Sequence, residues 1–63
     1  MEKYLIKKNT SLIEALKKIT ANGEKHVIVI SNLGKAIGII SDGDIRRAIL
    51  KKLKLTLPIS KIL

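Results

Sequence analysis

Apolar positions along the chain follow two kinds of pattern, one typical of helices and one typical of strands. In NTSLIEALKKITANG, residues 9–23, the apolar side chains recur every three or four positions, as on one face of a helix. Ser11 or Thr10 suits the N-cap, and Glu14 has the spacing of a capping box. Gly23 can take the left-handed conformation that ends a helix. The pattern predicts an amphipathic helix whose apolar positions are Leu12, Ile13, Leu16 and Ile19.

Three shorter segments have the composition of strands. The first is centred on Tyr4–Ile6. The second, HVIVI at His26–Ile30, is an unbroken β-branched run typical of a strand that is buried on both faces. The third, AIGII at Ala36–Ile40, follows the turn residues Asn32 and Gly34 and predicts a hairpin. Because a helix separates the first two strands, they should lie parallel with a right-handed crossover, and the hairpin should be antiparallel.

A second helical pattern begins after Ser41. We expect this helix to end before Pro58, which cannot donate a backbone hydrogen bond. The element order β-α-β-β-α predicts an α/β (α+β) domain in which a three-stranded mixed sheet carries two helices on one face. The predicted buried positions of the second helix are Ile45, Ala48, Ile49 and Leu53.

The length and composition limit how such a domain can be stabilised. A chain of 63 residues buries only about 60% of the surface that its unfolded form exposes, so its core is marginal. It has no cysteine and a single histidine, which excludes disulfides and a cysteine-based zinc site. We therefore expect stabilisation by association, with homodimerisation as the simplest form, or by a ligand.

The net charge of +8, from 13 basic and 5 acidic residues, favours anionic partners. Nucleic acid is not favoured, because aromatic residues, which stack on bases, are only 2% of the chain. No apolar run approaches the roughly 18–20 residues of a membrane span, and the N-terminal segment lacks the apolar core of a signal peptide. We expect a cytoplasmic location and no membrane partner, since the apolar face of the second helix is needed for the core.

The stretch GIISDGD, residues 38–44, allows two interpretations. Ser41 followed three residues later by Asp44 is the pattern of a helix cap, in which the acid also favours the positive end of the helix dipole. Alternatively, the strand that leads into a helix N-terminus forms an anion site. Gly38 in the strand and Gly43 in the first turn support the second interpretation. Glycine destabilises a strand or a helix at such positions, but it leaves the backbone accessible to a ligand. The spacing alone leaves both interpretations open.

Other chemistry has little support in the sequence. His26 has no evident carboxylate partner for acid–base catalysis. Asp42 and Asp44 diverge on a helix, and two acids beside two arginines make a poor metal site. We expect neither a catalytic site, nor a metal, nor a resident cofactor.

The element order, the segment HVIVISNLGKAIGIISDGDIRRAIL and the tail LPISKIL together resemble a cystathionine-β-synthase-type (CBS) domain over essentially the whole chain. In that family a Gly-h-x-Thr/Ser-x-x-Asp/Asn signature, where h is apolar, ends the last strand, and here it corresponds to residues 38–44. The resemblance implies a regulatory module that binds AMP, ADP, ATP or S-adenosylmethionine.

The resemblance also implies roles for individual residues. Asp44 would bind the ribose hydroxyls and Ser41 a ribose or phosphate oxygen, with Gly38 giving the ligand close access to the backbone. Arg47 could reach a phosphate, although a solvated arginine is the simpler interpretation. The positions implied for adenine are Ile6 and Lys7 before the first helix, and His26 and Val27 at the start of the second strand.

CBS domains normally occur in tandem, two packing across their sheets in what is called a Bateman module, and only one is present here. Residues 1–57 would form the domain, and residues 58–63 resemble a connector that opens a following repeat. The partner would be a second repeat or a second copy of the chain. The local likeness is to the N-terminal CBS domain of bacterial sugar-phosphate nucleotidyltransferases, which implies regulation of an attached enzyme domain. The alternative is a structural dimerisation domain without a ligand.

Overall fold

The structure, a computed structural model that describes residues 2–63, has the predicted order of elements. Met1, the first residue of the predicted domain, lies outside the described residues. Strand β1 is parallel to β2 and β2 is antiparallel to β3, in the order β1-β2-β3, which confirms the predicted mixed sheet. The elements are a 3₁₀ turn at Glu2–Tyr4, β1 at Leu5–Lys7, α1 at Leu12–Asn22, β2 at His26–Ile30, β3 at Ala36–Ser41, α2 at Asp42–Leu50, and a 3₁₀ turn at Ile59–Lys61.

The core lies between one face of the sheet and the two helices. Alternate residues of the strands point to this face, because side chains of a strand alternate in direction. From α1 the core takes Leu12, Ala15 and Ile19, so the buried stripe of this helix includes an alanine and leaves Leu16 only half-buried. The other buried apolar residues are Ile6, Val27, Val29 and Ile40 from the sheet, Ile45 and Ala48 from α2, and Ile59 from the C-terminal segment.

The opposite face of the sheet is open in the described chain. Leu5, Ile28 and Ile39 form one apolar row across the three strands. Ile28 is half-buried and Ile39 is 63% exposed. The prediction that HVIVI is buried on both faces is therefore wrong within this chain, because the helices cover only the side of Val27 and Val29.

Helix α2 ends at Leu50, eight residues before Pro58, and so is shorter than its apolar pattern indicates. Lys52 takes a left-handed φ of 65°, and the N–H of Leu53 donates to the carbonyl of Ala48 at 3.1 Å. This is the hydrogen bond of a Schellman motif, formed with lysine in place of the usual glycine. Two predicted core positions are consequently wrong: Ile49 is 41% exposed and Leu53 is 37% exposed.

The C-terminal segment packs back onto the domain. Pro58 forms a β-bridge with Ser11, and the N–H of Ile59 donates to the carbonyl of Thr10 at 2.8 Å. The Ile59 side chain is fully buried in the core. Residues 58–63, predicted as a connector, thus also cover the loop that precedes α1.

Candidate functional site

Ser41 and Asp44 stand where β3 turns into α2, and they bind each other reciprocally. The backbone N–H of Asp44 donates to Ser41 Oγ at 3.1 Å. Asp44 Oδ2 in turn accepts from the Ser41 N–H at 2.8 Å and from the Ser41 hydroxyl at 2.9 Å. This is a complete capping box, which satisfies amide groups that have no partner within the helix. The cap interpretation of the motif is therefore confirmed.

The second carboxylate oxygen of Asp44 faces Arg47. Arg47 Nη2 donates to Asp44 Oδ1 at 2.6 Å, and the two side chains are 66% and 37% exposed. The Ser41 N–H, and then the Ser41 hydroxyl and the Arg47 guanidinium, lower the pKa of Asp44 below its ordinary value, although partial burial opposes them. Asp44 is thus an ionised acceptor whose Oδ1 is held only by a partly exposed arginine.

The similar spacing at the start of α1 gives a simpler arrangement. Ser11 Oγ accepts from the Glu14 N–H at 3.2 Å, as in an ordinary N-cap. The Glu14 carboxylate contacts Lys17 at 3.4 Å and does not return to the Ser11 backbone. The two motifs share a spacing, but only that of α2 forms the reciprocal box.

Two of the predicted adenine positions lie beside the Ser41 end of the sheet. His26 is paired with Ser41 across β2 and β3, and Val27 is paired with Ile40. The His26 ring is exposed, with Nδ1 at 2.8 Å from the Glu24 carbonyl. The Val27 side chain is fully buried, so that only its backbone could border a ligand.

Ile6 and Lys7 lie toward the other end of the sheet. Lys7 is paired with Ile30, four residues along β2 from His26, which corresponds to about 13 Å at the rise of a strand. Both residues line a groove of about 650 Å³ with Leu5, Thr10, Ser11, Glu14, Lys18 and Ile30. The predicted site residues are therefore divided between two places.

Gly38 lies in β3 opposite Val29, on the side of the sheet that faces the helices. The space that a side chain would take at Gly38 is occupied by another residue of the chain. A Cβ built on Gly38 would lie 2.7 Å from Cδ1 of Leu63. In this conformation the close approach that the sequence predicted at Gly38 is made by Leu63. A ligand that approached Gly38 would have to displace this side chain.

Asp44 and Arg47 border a smaller groove of about 270 Å³, whose other lining residues are Ala48, Lys51, Leu53, Lys61 and Ile62. Lys51 and Lys61 were missed by the sequence analysis. Lys51 lies four residues after Arg47, at the C-cap of the same helix, and this spacing was a usable signal. Lys61 reaches the groove only because the C-terminal segment folds back, and no local pattern indicates that.

The groove combines one ionised carboxylate with three cationic side chains. A carboxylate accepts hydrogen bonds from a diol, and arginine and lysine bind phosphate oxygens. Within residues 2–63 the structure brings together no three His, Asp or Glu side chains that could hold a metal ion. The chemistry of this place therefore suits a ligand that carries both hydroxyl groups and an anionic group.

Comparison with known proteins gives a consistent family match. The family profile described as CBS domain matches residues 3–51. No protein of the curated set matches the sequence significantly.

Solved structures share the fold at low sequence identity. A CBS domain protein of Pyrobaculum aerophilum, solved with AMP, has a TM-score of 0.86 and 18% identity over 92% of this chain and 46% of its own. CbpB, solved with c-di-AMP, has a TM-score of 0.83 and 22% identity over 94% of this chain and 43% of its own. An uncharacterised protein of Pyrococcus horikoshii has a TM-score of 0.83 and 28% identity over 98% of this chain and 48% of its own.

The chain thus spans less than half the length of these three solved structures. The profile match covers more than three quarters of its 63 residues, and the fold agrees with these structures over 92–98% of the chain. The chain therefore belongs to the CBS-domain family.

Proposed function

We propose that the chain is a regulatory module that binds an adenine nucleotide at the Ser41–Arg47 end of the domain. The single observation that carries this proposal is the arrangement of Asp44, which uses Oδ2 for the cap and presents Oδ1 toward the groove. Capping and ligand binding then use different oxygens of one carboxylate. The two interpretations of the motif are compatible.

The surroundings of Asp44 support a nucleotide in particular. Rotation of the partly exposed Arg47 side chain would release Oδ1 for the ribose hydroxyls. The same arginine, with Lys51 and Lys61, would then bind the phosphate groups. His26, beside Ser41 on the neighbouring strand, offers an exposed ring against which adenine could stack.

The family relationship supports the same ligand class. The neighbour from Pyrobaculum aerophilum was solved with AMP, and CbpB was solved with c-di-AMP. Both ligands contain adenosine and phosphate. AMP, ADP and ATP are accordingly the first candidates for this chain, and S-adenosylmethionine remains a candidate from the resemblance alone.

We further propose that the open face of the sheet is covered by a second CBS repeat or by a second copy of the chain. The apolar row of Leu5, Ile28 and Ile39 supports this pairing, because an exposed apolar patch on a small domain is a source of association free energy. The length of the solved neighbours, about twice that of this chain, is compatible with a paired arrangement.

Regulation would follow from differential binding. A nucleotide that prefers one arrangement of the paired domains shifts the population toward it, and an attached domain responds. CBS domains are generally regulatory rather than catalytic. We propose that this chain is likewise non-catalytic, that it acts in the cytoplasm and that it regulates an attached enzyme domain, for which a sugar-phosphate nucleotidyltransferase is the candidate from the resemblance.

Thermal unfolding with AMP, ADP, ATP, S-adenosylmethionine and a phosphate control tests the proposal. A ligand at 100 times its dissociation constant adds about 2.7 kcal/mol to the free energy of unfolding. In a domain of this size that raises the midpoint by roughly 10 °C or more. Asp44→Ala should abolish the shift.

A matched control separates binding from stability. Ile49→Gly weakens the same helix by about 1 kcal/mol but keeps the Asp44 carboxylate and every residue that lines the groove, so its midpoint should still rise with the nucleotide. If no adenosine compound raises the midpoint of the unsubstituted chain, the nucleotide proposal fails. The remaining function is then the alternative, a structural dimerisation domain without a ligand. In such a domain Ser41 and Asp44 only cap α2, and the apolar sheet face only pairs the two copies.

A further inference from the structure

The last residues of α2 and the turn that follows them expose several large apolar side chains. We call residues 49–55 the basic apolar corner. Leu50 is 80% exposed, and Ile49, Leu53 and Leu55 are 41%, 37% and 42% exposed. The apolar spacing of α2 indicated that Ile49 and Leu53 belong to the core, which would have left no apolar surface here. We expected no membrane partner because the core would use these side chains. Their exposure removes that reason.

Lysines alternate with these apolar residues. Lys51, Lys52 and Lys54 are all exposed, and none has a carboxylate within 4.0 Å among the described side chains. Residues 45–63 contain six basic residues and no acidic residue. The arginines of this segment are paired with the first turn of α2, as Arg46–Asp42 and Arg47–Asp44. The uncompensated positive charge therefore lies with the lysines beside the exposed leucines.

The backbone of the corner is held in place by hydrogen bonds. The Lys52 N–H donates to the Ile49 carbonyl at 2.9 Å, and the Leu53 N–H donates to the Ala48 carbonyl at 3.1 Å. On the far side, the Ile13 N–H donates to the Leu55 carbonyl at 3.0 Å. The apolar and basic side chains thus project from an ordered turn.

We propose that the basic apolar corner docks on the surface of an anionic lipid bilayer. Lysines near such a surface gain attraction from anionic headgroups, while leucines enter the interface between headgroups and acyl chains. Lysine stems can lie along apolar surface with their ammonium groups in water, which matches the alternation of the two residue types. No helix in residues 2–63 is long and apolar enough to cross a bilayer.

Charge and composition argue against two other partners for this corner, a second copy of the chain and an acidic protein. A second copy of the chain carries the same net charge of +8 and would place lysines against lysines. Protein interface cores are depleted of lysine and enriched in aromatic residues, whereas this corner has three lysines and no aromatic residue. An acidic protein is therefore the weaker candidate.

Co-sedimentation of the 63-residue chain with vesicles tests the proposal, without any nucleotide present. Vesicles of phosphatidylcholine with about one third phosphatidylserine should bind the chain at least tenfold more tightly than pure phosphatidylcholine. Leu50→Gln should weaken this binding severalfold, whereas Leu33→Gln, which changes an 86% exposed leucine in the hairpin turn, should not. The combined change Lys51→Gln, Lys52→Gln and Lys54→Gln should weaken it at least tenfold.

A charge-matched variant controls for the overall net charge. Lys3→Gln, Lys17→Gln and Lys35→Gln together also lower the net charge from +8 to +5 by removing three exposed lysines, but they leave the corner intact. This variant should bind vesicles much more tightly than the corner variant. Equal losses in the two triple variants, or no effect of Leu50→Gln, would overturn the assignment to the corner. Equally tight binding to soluble polyglutamate at the same anionic charge would overturn it in favour of an acidic peptide.

Discussion

A single oxygen of Asp44, Oδ2, accepts hydrogen bonds from both the backbone N–H and the hydroxyl of Ser41, at 2.8 and 2.9 Å. Ser41 is the last residue of β3 and Asp44 lies in the first turn of α2, so these bonds fix the angle at which the chain leaves the sheet. They also leave the other carboxylate oxygen on the side of Arg47 and the groove. One residue pair thereby supports the fold and offers a site.

Asp44→Ala should destabilise the domain before any ligand is considered. The change removes the acceptor for a half-buried N–H and breaks the capping box, which corresponds to about 1–2 kcal/mol in the free energy of unfolding. Denaturant unfolding measures this loss. Glu14→Ala is the matched control, because Glu14 occupies the same position in α1 but makes only an exposed ion pair with Lys17, so its loss should be below about 0.5 kcal/mol. Equal losses for the two variants would contradict the structural difference between the two caps.

The stability contributed by Asp44 should depend on pH in the acid range. Its pKa is lowered in the folded state, so it contributes stability above its unfolded pKa of about 3.9 and loses that contribution as the pH falls through the lower folded pKa. The free energy of unfolding of the unsubstituted chain should therefore approach that of Asp44→Asn as the pH falls below about 4. Urea unfolding of both chains from neutral pH downward measures the difference, in which the other acidic residues cancel. A difference that stays constant over this range would show that ionised Asp44 contributes nothing.

Gly38→Ala should be tolerated. The new methyl group would meet Cδ1 of Leu63, which is the end of a flexible side chain that is 49% exposed and able to move. We expect a change of less than about 1 kcal/mol in the free energy of unfolding. A double-mutant cycle with Leu63→Ala should show coupling between the two positions. Additive effects would mean that Leu63 does not fill the space above Gly38 in solution.

Ile39→Lys should abolish self-association if two copies pair across the sheet. Ile39 is 63% exposed in the apolar row, so the change should leave the folded monomer intact while placing charge within the proposed interface. Sedimentation equilibrium measures the association. Leu33→Lys, which adds the same charge at an exposed leucine of the hairpin turn, should still associate. Loss of association in both variants would indicate a general charge effect rather than this interface.

The main elements of the fold were predictable because each has a local signal. The apolar period of α1, its Ser11 cap and Gly23, with φ of 71°, all agree with the structure. The end of α2 lacked such a signal, because Lys52 takes the left-handed conformation usually given to glycine. Continuing the apolar period past Leu50 therefore placed Ile49 and Leu53 in the core incorrectly.

The site was predictable only in part, for a similar reason. Ser41 and Asp44 are close in sequence, and their spacing predicted the contact that the structure contains. Lys61 joins the groove through a long-range return of the chain, which no local pattern encodes. The separation of Lys7 from Ser41 follows from strand register, which a family resemblance does not supply for an individual chain.

The most direct test of the nucleotide site is a titration of the ¹⁵N-labelled chain with AMP, followed by amide chemical shifts. We expect saturable changes at residues 41–47 and at Lys61, with His26 responding on the neighbouring strand. Inorganic phosphate at the same concentration should produce changes near Arg47 and Lys61 but none at His26. Changes confined to the groove of Lys7 and Lys18, or none that saturate, would contradict the assignment of the site to Asp44.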